Sequence, residues 1–213
     1  MPIKTDPSER ESVKLRRLFF RNSISKKKKK DEKKIKEKYK FFVMKMSWDQ
    51  ALTVMKQIEK EIDDDREELL RKVKIREFNP NKDSEKFIRC YNRAFITAPD
   101  PYRSLTLEDV QHFKPDSTFI AEIYGRIVGF VFLVIEPLIK QGKHLGKQGI
   151  IAGIGVDPRY RRKRIAFLLA AKAASYFAEN NVMELVCEVY HENKVSYSFI
   201  RNFGFSQTGI IYL

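Results

Sequence analysis

The chain has 213 residues, 43% of them hydrophobic, with 42 Lys and Arg against 28 Asp and Glu, a net charge of +14. This is enough apolar material for a full core, yet no run approaches the about 18 residues of a membrane span, and the N-terminus lacks the apolar stretch of a signal peptide. Two cysteines, Cys90 and Cys187, and three scattered histidines offer neither a disulfide framework nor metal-ligand spacing, so a cytoplasmic, reducing compartment is predicted, with no metal and no membrane.

Residues 1–47 carry 17 Lys and Arg against 6 Asp and Glu, which leaves the rest of the chain nearly balanced. Within this basic arm, 26–40 is low-complexity and too charged to form a core. It reads either as a solvated tail or as a contact for nucleic acid or an acidic partner. Val13, Leu15, Leu18, Phe19 and Phe20 form an amphipathic turn or two, and 41–46 reads as a strand. Ser47 with Gln50 makes a capping box. The apolar residues Ala51, Leu52, Met55, Ile58 and Ile62 then mark one face of a helical extension over 48–72, which must dock on the core or on another subunit.

The body, 73–213, reads as a strand at 74–78, helices at 83–95 and 105–113, and strands at 118–123 and 127–136 joined by a tight turn at Tyr124-Gly125-Arg126. A Gly- and Lys-rich loop over 141–148 precedes a strand at 150–156, where Gly153 and Gly155 signal a bulge or a close backbone approach to a ligand. This strand runs through Val156-Asp157-Pro158-Arg159-Tyr160 into the basic cluster Arg161-Arg162-Lys163-Arg164, which opens an apolar helix. A strand, a turn and a helix start of this kind form an anion site. The first N–H groups of a helix lack intrahelical acceptors, and its dipole favours negative charge there.

Val156, Pro158, Arg161 and Ala166 resemble the signature Val-x-Pro-x-x-Arg-x-x-Gly-x-Gly/Ala of the GNAT superfamily of acetyl-coenzyme A dependent N-acetyltransferases, with Arg164 in place of the first glycine. Downstream, Cys187-Glu188-Val189-Tyr190-His191-Glu192-Asn193 is similar to the Leu-Glu-Val-Arg-x-x-Asn segment of the branch that acetylates protein N-termini. Ser196, Phe199, Gly204 and Phe205 match the run that closes the coenzyme site. The resemblance covers about 74–213 and implies an α+β fold: a mixed, mostly antiparallel twisted sheet flanked by helices, here with a basic helical N-terminal extension. Relatives place two closing strands after the Gly-Phe pair; one is predicted here, at 209–213. The open sheet edge would be covered by 41–46 or by a second subunit in a homodimer.

The resemblance implies acetyl-coenzyme A as co-substrate, held by Ile154, Gly155 and Val156, by the turn Arg161, Arg162, Lys163, Arg164, Ile165 and Ala166, and by Asn193. The N–H of Ile154 or Val156 would be the oxyanion donor, with Arg164 turned either to solvent or to the phosphates. Glu188 takes the general-base position, against a second reading as a solvent-facing strand glutamate. The tyrosine usual for the general acid is Ile200 here, so Tyr197, with Tyr190, is the nearest candidate acid. A lysine amine costs about 4–5 kcal/mol to deprotonate at pH 7 and an α-amine about 1, so a site with one carboxylate favours a protein or peptide N-terminal amine. A non-catalytic acyl-coenzyme A binding module and a small polyamine or antibiotic acetyltransferase remain alternatives. Because the candidate catalytic residues all lie after Gly153, acetyl transfer is expected to survive deletion of the arm.

Overall fold

The computed structural model describes residues 11, 12, 15, 19, 39–61 and 71–212. The lysine run at 26–30, Val13, Leu18, Phe20, Ile62 and the side chain of Ile58 lie outside the described residues, so the expectations placed on them are not addressed. The elements in chain order are β1 (Lys40–Ser47), α1 (Trp48–Glu61), β2 (Lys74–Glu77), α2 (Pro80–Ile96), α3 (Leu107–Val110), β3 (Thr118–Ile123), β4 (Arg126–Lys140), β5 (Lys143–Val156), α4 (Ile165–Glu179), β6 (Val182–Tyr190), α5 (Lys194–Asn202) and β7 (Ser206–Tyr212). The strands form one seven-stranded sheet in the order β2-β3-β4-β5-β6-β1-β7. It is antiparallel except where β5 meets β6, the mixed, mostly antiparallel sheet that the resemblance implies.

Local chemistry accounts for the boundaries. Ser47 ends β1 and caps α1: its Oγ accepts from Gln50 N at 3.3 Å while Gln50 Oε1 accepts from Ser47 N at 3.2 Å, the reciprocal pair read from the sequence. Tyr124 and Gly125 both take positive φ, as do Gln141 and Gly142. Two successive left-handed residues match the twist of a hairpin. The second pair corrects the loop predicted at 141–148: β4 and β5 continue pairing out to Lys140↔Lys143. Lysines in this stretch read as loop, yet they are tolerated on an exposed hairpin. In α1, Ala51 is buried but Leu52 is exposed, so the docked face runs through Ala51 and Met55 as read from the sequence, with Val54 beside them in place of Leu52. That face rests on α4 and β6 of the same chain.

The cover for β6 comes from the N-terminal side. β1 lies inside the sheet, pairing β6 from Phe41↔Tyr190 to Ser47↔Glu184 and β7 on its other edge. The sheet therefore begins at Lys40, inside the interval that charge marks as the arm, and β7 rather than β6 is the edge strand. Met44, fully buried, Phe41 and Met46 are part of the core.

Each face of the sheet carries its own core. One joins Met44, Phe119, Val128, Leu169 and Phe177 beneath α1 and α4. The other joins Phe78, Phe87, Tyr91, Phe130 and Phe132 beneath α2, and it includes Leu15 and Phe19. Phe19 packs its ring 5.3 Å from Phe132 and 5.8 Å from Tyr91, and the N–H and Oγ of Ser12 donate to buried Glu136 at 3.0 and 2.8 Å. Part of the arm is thus core. Among the described residues no helix is long and apolar enough to cross a membrane, and no group of three or more His, Cys, Asp or Glu could hold a metal.

Candidate active site

The site follows from one irregularity in the sheet. β5 and β6 run parallel and paired only as far as Ile151↔Cys187. Beyond it β5 stays with β4 to Gly129↔Val156, while β6 stays with β1 to Phe41↔Tyr190. The two halves of the sheet part, and a cavity of about 760 Å³ opens between them, with Gly153, Ile154, Gly155 and Val156 on one lip and Cys187, Glu188 and Val189 on the other. Glu188, half-buried, is the first residue past the fork.

The glycines of β5 have a structural cause. The register shifts between Phe132↔Gly153 and Leu133↔Ile151, leaving Ala152 as the bulge between them. A Cβ on Gly155 would overlap the edge of the fully buried Phe130 ring and meet Ala94 Cβ at 3.2 Å. Gly155→Ala should therefore destabilise the fold by about 1–3 kcal/mol, read as a fall in Tm of about 2–4 °C per kcal/mol; an unchanged Tm would show that the ring has room to move.

At the far end of β5 the chain turns into α4. Asp157, 1% exposed, closes the turn: its carboxylate accepts from Arg159 N at 3.1 Å and from the Arg159 guanidinium at 2.8 Å. The arginine beside it holds its carboxyl below the usual range. Arg161 donates to Ala94 O at 2.7 Å and Val156 O at 3.2 Å, so its guanidinium braces the turn against α2. Arg162 and Arg164 both adopt left-handed φ, 59° and 57°. The glycine of the signature thus corresponds to a backbone conformation that favours glycine, and Arg164 takes it at a cost of order 1 kcal/mol.

Arg164 is also the N-cap of α4 and, unlike Asn79, Thr106 and Asn193, gives its helix no side-chain cap. The first main-chain bonds of α4 are Phe167 N and Leu168 N to Arg164 O, which leaves the N–H groups of Ile165 and Ala166 without an acceptor in the helix. Arg161, Arg162, Arg164, Ile165 and Ala166 all line the cavity, so its wall carries helix N–H groups, a dipole end and three arginines. An anion such as a diphosphate fits there.

The residues singled out from the sequence divide. Ile154, Gly155, Val156, Arg161, Arg162, Arg164, Ile165, Ala166, Glu188 and Asn193 line the one cavity. Lys163 does not; its Nζ sits 5.4 Å from the Tyr160 ring centre. Tyr197 does not either: its hydroxyl donates to Gln207 Oε1 at 3.3 Å and its ring packs 5.5 Å from Phe42. Tyr190 is buried against Phe41, and the residues of α5 that line the cavity are Val195, Ser196, Phe199 and Ile200. Asn193 caps α5, accepting from Ser196 N at 3.0 Å, and gives its Nδ2 to Asp100 at 2.5 Å. Asp100 and Asp157 were not read as site residues; the flanking prolines at 99 and 101 and the Asp-Pro pair at 157–158 were the available signals.

A family model described as the Acetyltransferase (GNAT) family matches residues 68–205. Mycothiol acetyltransferase of Amycolatopsis mediterranei is 27% identical over 143 residues, covering 63% of this chain and 46% of the relative. N-alpha-acetyltransferase 30 of Xenopus laevis is 30% identical over 106 residues, covering 50% of this chain and 37% of the relative. The chain thus spans less than half the length of these two relatives. Among solved structures, aminoglycoside N-acetyltransferase AAC(6')-Iy in complex with CoA superimposes with a TM-score of 0.52 at 23% identity, covering 64% of this chain and 90% of that one. Ard1 from Thermoplasma volcanium gives 0.51 at 24%, covering 65% and 85%. These two show a shared fold.

Proposed function

The chain belongs to the GNAT acetyltransferase family, and from that membership we propose that it transfers the acetyl group of acetyl-coenzyme A to a primary amine, a protein or peptide N-terminal amine ahead of a lysine side chain. The observation that carries this reading is the continuity of one cavity from the uncapped start of α4, past the fork, to Glu188. The N–H groups of Ile165 and Ala166, with Arg162 and Arg164 beside them, suit the diphosphate. The parted strand β5 suits the thioester arm, with the N–H of Ile154 or Val156 as donor to the oxyanion. Glu188 accepts the proton of the amine as nitrogen attacks the thioester carbonyl and the carbon–sulfur bond breaks.

The names of the N-alpha-acetyltransferase 30 relative and the Ard1 neighbour support an N-terminal acceptor. So does the cost argument, since an α-amine needs about 1 kcal/mol for deprotonation at pH 7, within reach of a site where neither Tyr197 nor Tyr190 lines the cavity. The charge of residues 1–47 supports contact of the arm with nucleic acid or an acidic partner.

The test is a thermal-shift titration with acetyl-coenzyme A, followed by an acetyl-transfer assay on N-terminal peptides, lysine-bearing peptides and polyamines. Native-state binding at a hundredfold excess over Kd adds about 2.7 kcal/mol of stability, so a clear rise in Tm is expected, and transfer should be fastest onto free N-termini. No shift at millimolar ligand overturns the reading. A shift without transfer to any amine leaves the non-catalytic binding module.

A further inference from the structure

We propose that Asp100 is an acceptor-binding residue whose carboxylate seats the ammonium of the incoming amine in the cavity. This rests on the function proposed above. Asp100 lies in the loop between α2 and α3, flanked by Pro99 and Pro101, whose rings restrict the backbone around it. It lines the same cavity as Glu188 and Asn193, where Tyr91, Phe95 and Tyr102 supply aromatic wall.

What sets Asp100 apart is its company. Three other aspartates of low accessibility each face an arginine: Asp83 with Arg76 at 2.6 Å, Asp109 with Arg103 at 2.5 Å, and Asp157 with Arg159 at 2.8 Å. In each case the carboxyl is held below its usual range. Asp100 has instead a neutral partner, the Asn193 amide at 2.5 Å, and no cation of the described residues pairs with it. Burial pushes its carboxyl up. The Asn193 amide cannot swing away freely, because its Oδ1 caps α5.

A half-buried carboxylate with neutral donors alone is an unbalanced charge, and partial loss of water makes that costly. A cation entering the cavity restores the balance and meets aromatic faces that favour it further. The acceptor of an amine acetylation arrives largely as such a cation. Seated on Asp100, it stands in the cavity that Glu188 also lines; loss of one proton to water gives the neutral amine, and Glu188 accepts the second as nitrogen attacks.

The experiment compares the full chain with Asp100→Asn, which preserves shape and the bond from Asn193, and Asp100→Glu, which restores charge. Kinetics on an N-terminal peptide are measured at saturating acetyl-coenzyme A, with the coenzyme-induced Tm rise as the control for folding. Asp100→Asn should raise the acceptor KM at least about tenfold, with kcat changed much less and the coenzyme shift kept. Asp100→Glu should recover part of the loss. Titration of the coenzyme A complex with the same peptide, free and N-acetylated, should show the parent preferring the free amine and Asp100→Asn losing that preference. A parental KM in Asp100→Asn, or a fall in kcat with KM intact, overturns the proposal. If the parent itself transfers to no amine, the function reading falls first, and this inference with it.

Discussion

Glu188→Gln lowers kcat by about 10²- to 10⁴-fold, the range a positioned general base contributes, while the Tm rise with acetyl-coenzyme A stays at the parental value. The split follows from where the side chain stands. Glu188 is the first residue of β6 after pairing with β5 ends at Cys187, and it lines the cavity where the two halves of the sheet part. Its partner on the other side is Val43 of β1, in the middle of an unbroken ladder, so an isosteric amide disturbs neither strand. The coenzyme would bind through the start of α4, which Glu188 does not build. The measurement is steady-state turnover on an N-terminal peptide beside a thermal-shift titration of both proteins. Equal turnover returns Glu188 to the reading of a strand carboxylate without a chemical role, and loss of the coenzyme shift would show that it shapes the cavity instead.

Legibility from sequence tracked the range of the forces involved. Short-range signals were readable because they act between neighbours: the Ser47 and Gln50 box, the positive-φ turn at Tyr124-Gly125, and the bulge signalled by Gly153 and Gly155 all have local causes. The strand at 41–46 was readable too, but its slot was not. Alternation says that a segment pairs and not with what, and β1 enters between β6 and β7, which lie more than a hundred residues away in sequence. The hairpin at Gln141-Gly142 was hidden because its lysines imitate a loop. Tyr197 failed as a candidate acid for a helical reason. It was placed near the face of Ile200 by its spacing of three, yet that offset of roughly 60° turns it toward β1 and β7, where Phe42 and Gln207 meet it. Asp100 carried only the signal of its flanking prolines, which reads as a turn, and only the fold brings Asn193 to it.

The same contrast sets the outcome of removing the N-terminal region, where reasoning from charge and from the sheet diverge. Deletion of residues 1–46 should yield no folded protein. Phe41, Met44 and Met46 are each at most 5% exposed, and burial of such side chains contributes about 1.5–3 kcal/mol apiece. Their loss alone approaches the about 5–15 kcal/mol by which a domain is stable. In addition β6 and β7 lose the strand between them, so both ladders go unpaired. Deletion of residues 1–30 spares β1 and should give a folded but weakened chain. It removes Leu15 and Phe19 from the core around Tyr91 and Phe132 and leaves Glu136 without Ser12. Loss of a buried phenylalanine costs about 3–5 kcal/mol, a fall in Tm of about 6–20 °C. Because Phe19 also lines the cavity, acetyl transfer, expected from sequence to survive loss of the arm, should instead show an altered acceptor KM in the shorter deletion. The checks are soluble yield, thermal melts and peptide kinetics for both truncations beside Phe19→Leu in the full chain. If the 1–46 deletion melts cooperatively at the parental temperature, β1 is not part of the sheet in solution. If the 1–30 deletion keeps parental Tm and KM, the basic region is a tail and Phe19 has no place in the wall of the cavity.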